Sequence, residues 1–143
     1  MIALVVRQFA IGYVIGVVIL FALAVALDYF FAYEISSGVS VVPFVVGVHF
    51  AAQKYATQEG VQPSSGFAWR AAFAMTATGL AISAAISGLF LAVAGAEAMF
   101  GGAIPMNFFL IALVVVAAIY LLIGRFLFSF TIRSALKAAA RRR

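Results

Sequence analysis

Four stretches of this chain run for close to the width of a bilayer without a charged residue: Gln8 to Leu27, Ile35 to Gln53, Ala71 to Ala96 and Pro105 to Gly124. A helix needs about 20 mainly apolar residues to cross roughly 30 Å of hydrocarbon, so each run has the length of one crossing. Composition points the same way. The chain is 67% hydrophobic and 9% charged, whereas soluble domains are nearer half apolar with about a quarter of their residues charged. A domain of 143 residues folded in water leaves much of its surface exposed and could not hide that apolar load. The solvent this sequence predicts is lipid.

The charges sort around the runs. Arg7 precedes the first, Lys54 and Arg70 lie between the second and third, and Arg125, Arg133, Lys137, Arg141, Arg142 and Arg143 follow the fourth. Four alternating crossings place all nine basic residues on one side and Asp28, Glu34 and Glu97 on the other. The positive-inside rule makes the basic side cytoplasmic, with both termini there. Tyr29, Phe30, Phe31 and Tyr33 then fall at the outer interface, and Phe67 and Trp69 at the inner one, where aromatic rings are favoured. Gly60 predicts a helix C-cap, Pro63 and Ser64–Ser65 a stop and an N-cap, and Pro105 the first turn of the fourth helix. Ala22-Leu23-Ala24 and Ala24-Val25-Ala26 resemble signal-peptide cleavage sites, but the apolar run before them is long for a signal segment, and an uncleaved first helix is expected. The expected fold is an all-α membrane protein: a single domain over residues 1–143, four transmembrane helices in a bundle, and a basic amphipathic cytoplasmic tail over 125–143.

The chemistry is sparse. No cysteine is present, which removes disulfides, thiolate metal sites and thiol redox chemistry. No Asp, Glu, Lys or Arg lies in the middle of a run, although buried charge is the usual mark of function in membranes. Asp28 lies about 31 Å along a helix from Arg7 and belongs at the outer boundary, which argues against a proton-driven exporter. His49 is the one histidine, with Gln53 on its helical face. It reads as a proton relay or quinone-headgroup ligand, or as a neutral structural residue bonded to a neighbouring helix. With no second histidine or nearby carboxylate the structural reading is preferred, and one histidine cannot hold a metal or haem. No catalytic residue, cofactor or metal is expected.

What remains is surface and packing. His49, Gln53, Lys54, Arg70 and Arg125, with Arg7, are expected at one depth, where they could contact a lipid phosphate or a partner; ordinary flanking of crossings explains the same residues. Arg125, Ser129, Arg133, Lys137 and Arg141 fall on one helical stripe, suited to an anionic inner leaflet or an acidic partner. Nucleic acid is not expected, because aromatics do not interleave the terminal arginines. Gly12 and Gly16 form a GxxxG pair. Gly79, Ser83 and Ser87 recur at four-residue spacing, with Ala77, Ala81 and Ala85 on one neighbouring face and Ala84, Gly88 and Ala92 on another. Small residues let helices approach closely, so the third helix is expected to be central in the bundle. The fourth run, with Phe108, Phe109 and Val114 to Val116, is expected to face lipid or a partner.

Between Gly38 and Ala72 the chain carries Pro43 in the second run, Lys54 and Tyr55 at its exit, then Gly60, Pro63, Ser64 and Arg70. This stretch resembles a family of small four-span bacterial inner-membrane proteins of unassigned function. The sequence departs from that pattern at Phe67, where the family tends to place a capping glutamate, and so lacks the reciprocal capping bond. The resemblance implies four spans and a bacterial inner membrane, and no activity. Together these readings predict a non-catalytic accessory or assembly subunit of a larger inner-membrane complex. A small oligomeric transporter or channel subunit, with Thr76, Ser83 and Ser87 facing water, and a membrane immunity protein are the alternatives. The topology has a direct check. A reporter fused after Arg143 is expected to be active only if it works in the cytoplasm, and one inserted near Gly101 only if it works outside; the opposite result at either site overturns the count of four crossings.

Overall fold

The computed structural model describes residues 1–31, 41–94 and 106–141. They form four helices: α1 (Ile2–Phe31), α2 (Val42–Glu59), α3 (Ser65–Ala94) and α4 (Met106–Ala140). Residues 35–40 of the expected second span, Tyr33, the turn leading to Pro105, and Arg142 and Arg143 lie outside the described residues.

Local chemistry sets the ends. Gly60 closes α2 in the left-handed region at φ 63°, its N–H donating to the Ala56 carbonyl at 3.1 Å; only glycine adopts that backbone without cost. Ser64 caps α3, its Oγ accepting from the Phe67 N–H at 3.3 Å, directly after Pro63. Pro43 sits in the first turn of α2, where its missing N–H costs nothing. Helix α4 continues past Arg125 without a break, and the Arg141 N–H still donates to the Lys137 carbonyl.

Among the described residues, three helices are long and apolar enough to cross a membrane: Ile2–Phe30, Ser65–Leu89 and Leu110–Ala140. Helix α2 is not, and the reason is in its sequence. Its final turns carry Gln53, Lys54, Gln58 and Glu59. The apolar part from Val42 to Ala52 covers roughly 16 Å at about 1.5 Å per residue, half of the roughly 30 Å of a hydrocarbon core.

The four helices alternate in direction. Phe9 meets Phe44 and Gly47, while Gly16 meets Pro43, so α1 and α2 are antiparallel. Phe9 lies by Gly79 and Tyr13 by Ser83, so α1 and α3 are parallel. Arg125 reaches Ser65, which sets α4 against α3 in the opposite sense. The main packing pairs are α1 with α2, α2 with α4, α4 with α3, and α3 with α1. The helices thus form a ring in the order α1, α2, α4, α3, with the α1–α2 and α3–α4 edges on opposite sides.

The core occupies one end of this ring. Val5, Phe9 and Tyr13 from α1, Phe44 to Ala56 from α2, Ala71 and Met75 from α3, and Tyr120, Phe128 and Ile132 from α4 form one cluster. This is the end that also carries Arg7, Lys54, Arg70, Arg125 and Arg133. Towards the other end α1 and α4 present apolar residues outward, Val18, Phe21, Ile111 and Val114 being more than half exposed. Apolar residues gain nothing by leaving lipid for each other, so association in a membrane follows close fit. The fit is at the basic end.

Glycines make it. A Cβ on Gly12 would lie 2.9 Å from the Phe50 Cβ, one on Gly16 2.8 Å from the Pro43 Cα, and one on Gly47 2.9 Å from the Phe9 carbonyl oxygen. Gly79 and Gly124 leave room for the Phe44 ring, which an added Cβ would meet at 3.4 and 3.2 Å. The Phe44 ring also stacks on Tyr120 at 4.4 Å and meets Phe9 edge-on at 5.3 Å, and thereby contacts all three other helices. Gly16→Ala is therefore expected to destabilise the bundle by about 1–3 kcal/mol, the usual cost of overpacking. Gly79→Ala should cost less, and Gly88→Ala nothing, since no atom lies within 4 Å of a Cβ there. Thermal unfolding in mild detergent orders the three; equal midpoints for Gly16→Ala and Gly88→Ala would contradict the seam.

Candidate functional site

The structure divides the residues expected to form one polar ring. His49, Gln53 and Lys54 lie on the α1–α2 edge, lining a cleft of about 400 Å³ with Gln8, Phe50 and Thr57. The Gln53 amide donates to His49 Nε2 at 2.9 Å, one turn apart on an exposed face, so this histidine is bonded within its own helix. Arg70 is exposed at the start of α3 and lines neither this cleft nor the basic one opposite. Among the described residues no three His, Asp or Glu side chains gather closely enough to hold a metal.

On the opposite edge, Arg125 is tied down from several sides. Its guanidinium donates to Ser129 Oγ at 3.1 Å and to Ser65 Oγ at 3.2 Å, and lies 5.1 Å from the centre of the Trp69 ring. Its Nε is buried without a partner. The spacing of α4 makes this possible: Arg125, Ser129 and Arg133 follow one another at four residues and share a face. Arg133 donates through Nε to Gln62 Oε1 at 3.2 Å, linking α4 to the α2–α3 connection. Between them opens a cleft of about 500 Å³, lined by Trp69, Leu122, Arg125, Phe126, Ser129, Phe130 and Arg133, with no carboxylate in the lining. A cation held against an indole face with its polar hydrogens directed is the arrangement arginine uses for planar or phosphate-bearing anions. Lys137 and Arg141 continue along α4, exposed.

Deeper along the same edge lies an apolar groove of about 260 Å³ between α3 and α4, lined by Phe73, Thr76, Ala77, Leu80, Ala117, Ala118 and Leu121. Thr76 is 6% exposed and its hydroxyl has no partner. The other hydroxyls of α3 point elsewhere: Thr78 donates to the Ala74 carbonyl at 2.8 Å, and Ser83 shares a hydrogen bond of 2.6 Å with the Tyr13 hydroxyl. They do not line one common path.

The small residues of α3 fall into two sets. Gly79 is buried against Phe44 and Phe9, Ser83 meets α1, and Ser87 is half-buried one turn further. Ala77, Ala81, Ala84, Ala85 and Gly88 are exposed and share the face turned away from the core. The third helix therefore lies on the ring with a free side, and the close approach belongs to α1 and α2, with Gly12 and Gly16 at their seam.

The sequence reading missed Gly47, Ser65, Gln62 and the Trp69–Arg125 pair. Gly47 had a weak signal as the one glycine among valines of the second run; contacts between Arg125 and Ser65, far apart in sequence, had none. Compared with protein-family profiles, curated proteins and solved structures, the chain matches none. Arg125→Lys is expected to destabilise the chain by about 1–2 kcal/mol, because an ammonium cannot serve both serines and the indole face together. Unfolding in detergent measures it, and a wild-type midpoint would mean that the guanidinium contacts contribute nothing.

Proposed function

We propose that this chain is a non-catalytic membrane subunit that works by packing against other subunits of a bacterial inner-membrane complex. In this reading all four helices cross the bilayer with both termini in the cytoplasm, and the tail from Arg125 onward meets the anionic inner leaflet. One observation carries it: the outward face of α3, where Ala77, Ala81, Ala84, Ala85 and Gly88 form a smooth strip with no partner inside the bundle. Strips of this kind are where membrane helices dock, since small side chains let backbones approach. The chain already uses that principle internally at Gly12, Gly16 and Gly47, and the α3 strip is a second instance left unused. A transporter or channel reading lacks such support, because the α3 hydroxyls do not converge on one cavity.

Purification of the tagged chain at native expression in mild detergent is expected to recover a stoichiometric membrane partner. Ala81→Leu with Ala84→Leu should lose that partner while leaving the chain's own unfolding midpoint unchanged, as both positions are exposed. Recovery of the wild-type chain alone would contradict the proposal.

A further inference from the structure

The α3–α4 edge combines a basic head with an apolar continuation. Arg125, Arg133 and Ser129 line the upper cleft with Trp69. One turn deeper, Phe73 on α3 and Leu121 on α4 begin the apolar groove. The upper cleft is flanked by Leu122, Phe126 and Phe130, each more than half exposed. From Arg133 to Ala117 this edge covers roughly 24 Å along α4, close to the extent of one lipid leaflet with its headgroup, a leaflet being half of about 40–45 Å.

We propose that this edge is a binding site for one anionic phospholipid of the surrounding bilayer. The phosphate lies between Arg125 and Arg133 and accepts from their guanidinium groups and from the Ser129 hydroxyl. The acyl chains run along Leu122 and Phe126 and into the groove beside Leu80 and Ala118. Charge decides the lipid class, since two arginines with no carboxylate in the lining attract a net negative headgroup more than a zwitterionic one. Two unsatisfied groups fit the same occupant. The Arg125 Nε is buried without an acceptor, and the Thr76 hydroxyl is buried without a partner about 10 Å deeper along α3 than Trp69. A phosphate oxygen serves the first, and a glycerol ester carbonyl, lying below the phosphate, serves the second. The inference rests on the chain crossing a bilayer and not on the partner proposed above, whose failure to copurify would leave it standing.

Trp69 is the one tryptophan of the chain and lines this cleft, so its fluorescence reports on the site. The full chain is reconstituted in phosphatidylcholine vesicles containing equal mole fractions of brominated phosphatidylglycerol or brominated phosphatidylcholine. Brominated phosphatidylglycerol is expected to quench Trp69 with a relative association constant raised roughly fivefold for each arginine engaged. Arg133→Gln should lower that preference roughly fivefold; Arg133 is exposed and its one recorded side-chain bond goes to Gln62, so the fold is expected to survive, as helicity by circular dichroism checks. Arg141→Gln, further along α4, should leave the preference intact. Equal quenching by the two lipids in the wild type overturns the proposal. So does an equal loss with Arg141→Gln, which would make the attraction a property of diffuse surface charge. If millimolar inorganic phosphate abolishes the preference, the site takes a free phosphate ion and the lipid assignment fails.

Discussion

The close approach of α1 to α2 supports the rest of the bundle. In lipid, apolar side chains gain no solvent-driven attraction for each other, so a stable contact has to come from fit. Gly12, Gly16 and Gly47 remove the Cβ atoms that would hold the two backbones apart. With the seam closed, Phe44 is carried into the centre, where Gly79 and Gly124 leave its ring room and Phe9 and Tyr120 pack on it. Aromatic pairs of this geometry contribute about 0.5–1.5 kcal/mol beyond their area. α3 and α4 are positioned through that ring, through the Tyr13–Ser83 bond and through the Tyr55–Phe128 contact at 5.7 Å.

Because fit is confined to the basic end, the molecule has two different halves. One is interlocked, with Phe128 and Ile132 buried well beyond the point where the fourth apolar run ends in the sequence. The other exposes bulky apolar residues of α1 and α4, which suits hydrocarbon. The two polar clefts lie on opposite edges of the interlocked half. The α1–α2 cleft holds a histidine bonded to its own helix. The α3–α4 cleft holds a guanidinium fixed by an indole and two hydroxyls. A rigid, preoriented cation is better suited to selecting an anion than a mobile one, since less side-chain freedom is lost on binding. The outward strip of α3 adjoins the apolar groove at Ala77, so a docking partner and a bound lipid would be neighbours on this side.

Much of the helical organisation was legible because charge marks its limits. Arg7, Asp28, Lys54, Arg70 and Arg125 bracket the runs, and Gly60 and Ser64 end and start helices where their backbone chemistry requires. The Gly12–Gly16 pair was legible from its spacing, but its partner Gly47 was not, since a single glycine carries no period. The second run read as a full crossing; its described helix starts at Val42, and the apolar part of that helix is short. The orientation of α3 was not legible either. Small residues recur on three of its faces, and nothing in their spacing tells which face meets Phe44. That was decided by a ring on another helix. The cleft depends on contacts such as Arg125 with Ser65 and Arg133 with Gln62, which join residues remote in sequence.

The seam can be tested without background, because the chain has no native cysteine. A Cβ on Gly12 lies 2.9 Å from the Phe50 Cβ, within a small adjustment of the roughly 3.5–4.5 Å that a disulfide spans. Gly12→Cys with Phe50→Cys is oxidised mildly in isolated membranes and compared with Gly12→Cys paired with Ala84→Cys on the outward face of α3. The account predicts rapid intrachain cross-linking of the first pair, seen as a mobility shift reversed by reductant, and none of the second. Cross-linking of the second pair without the first would contradict it.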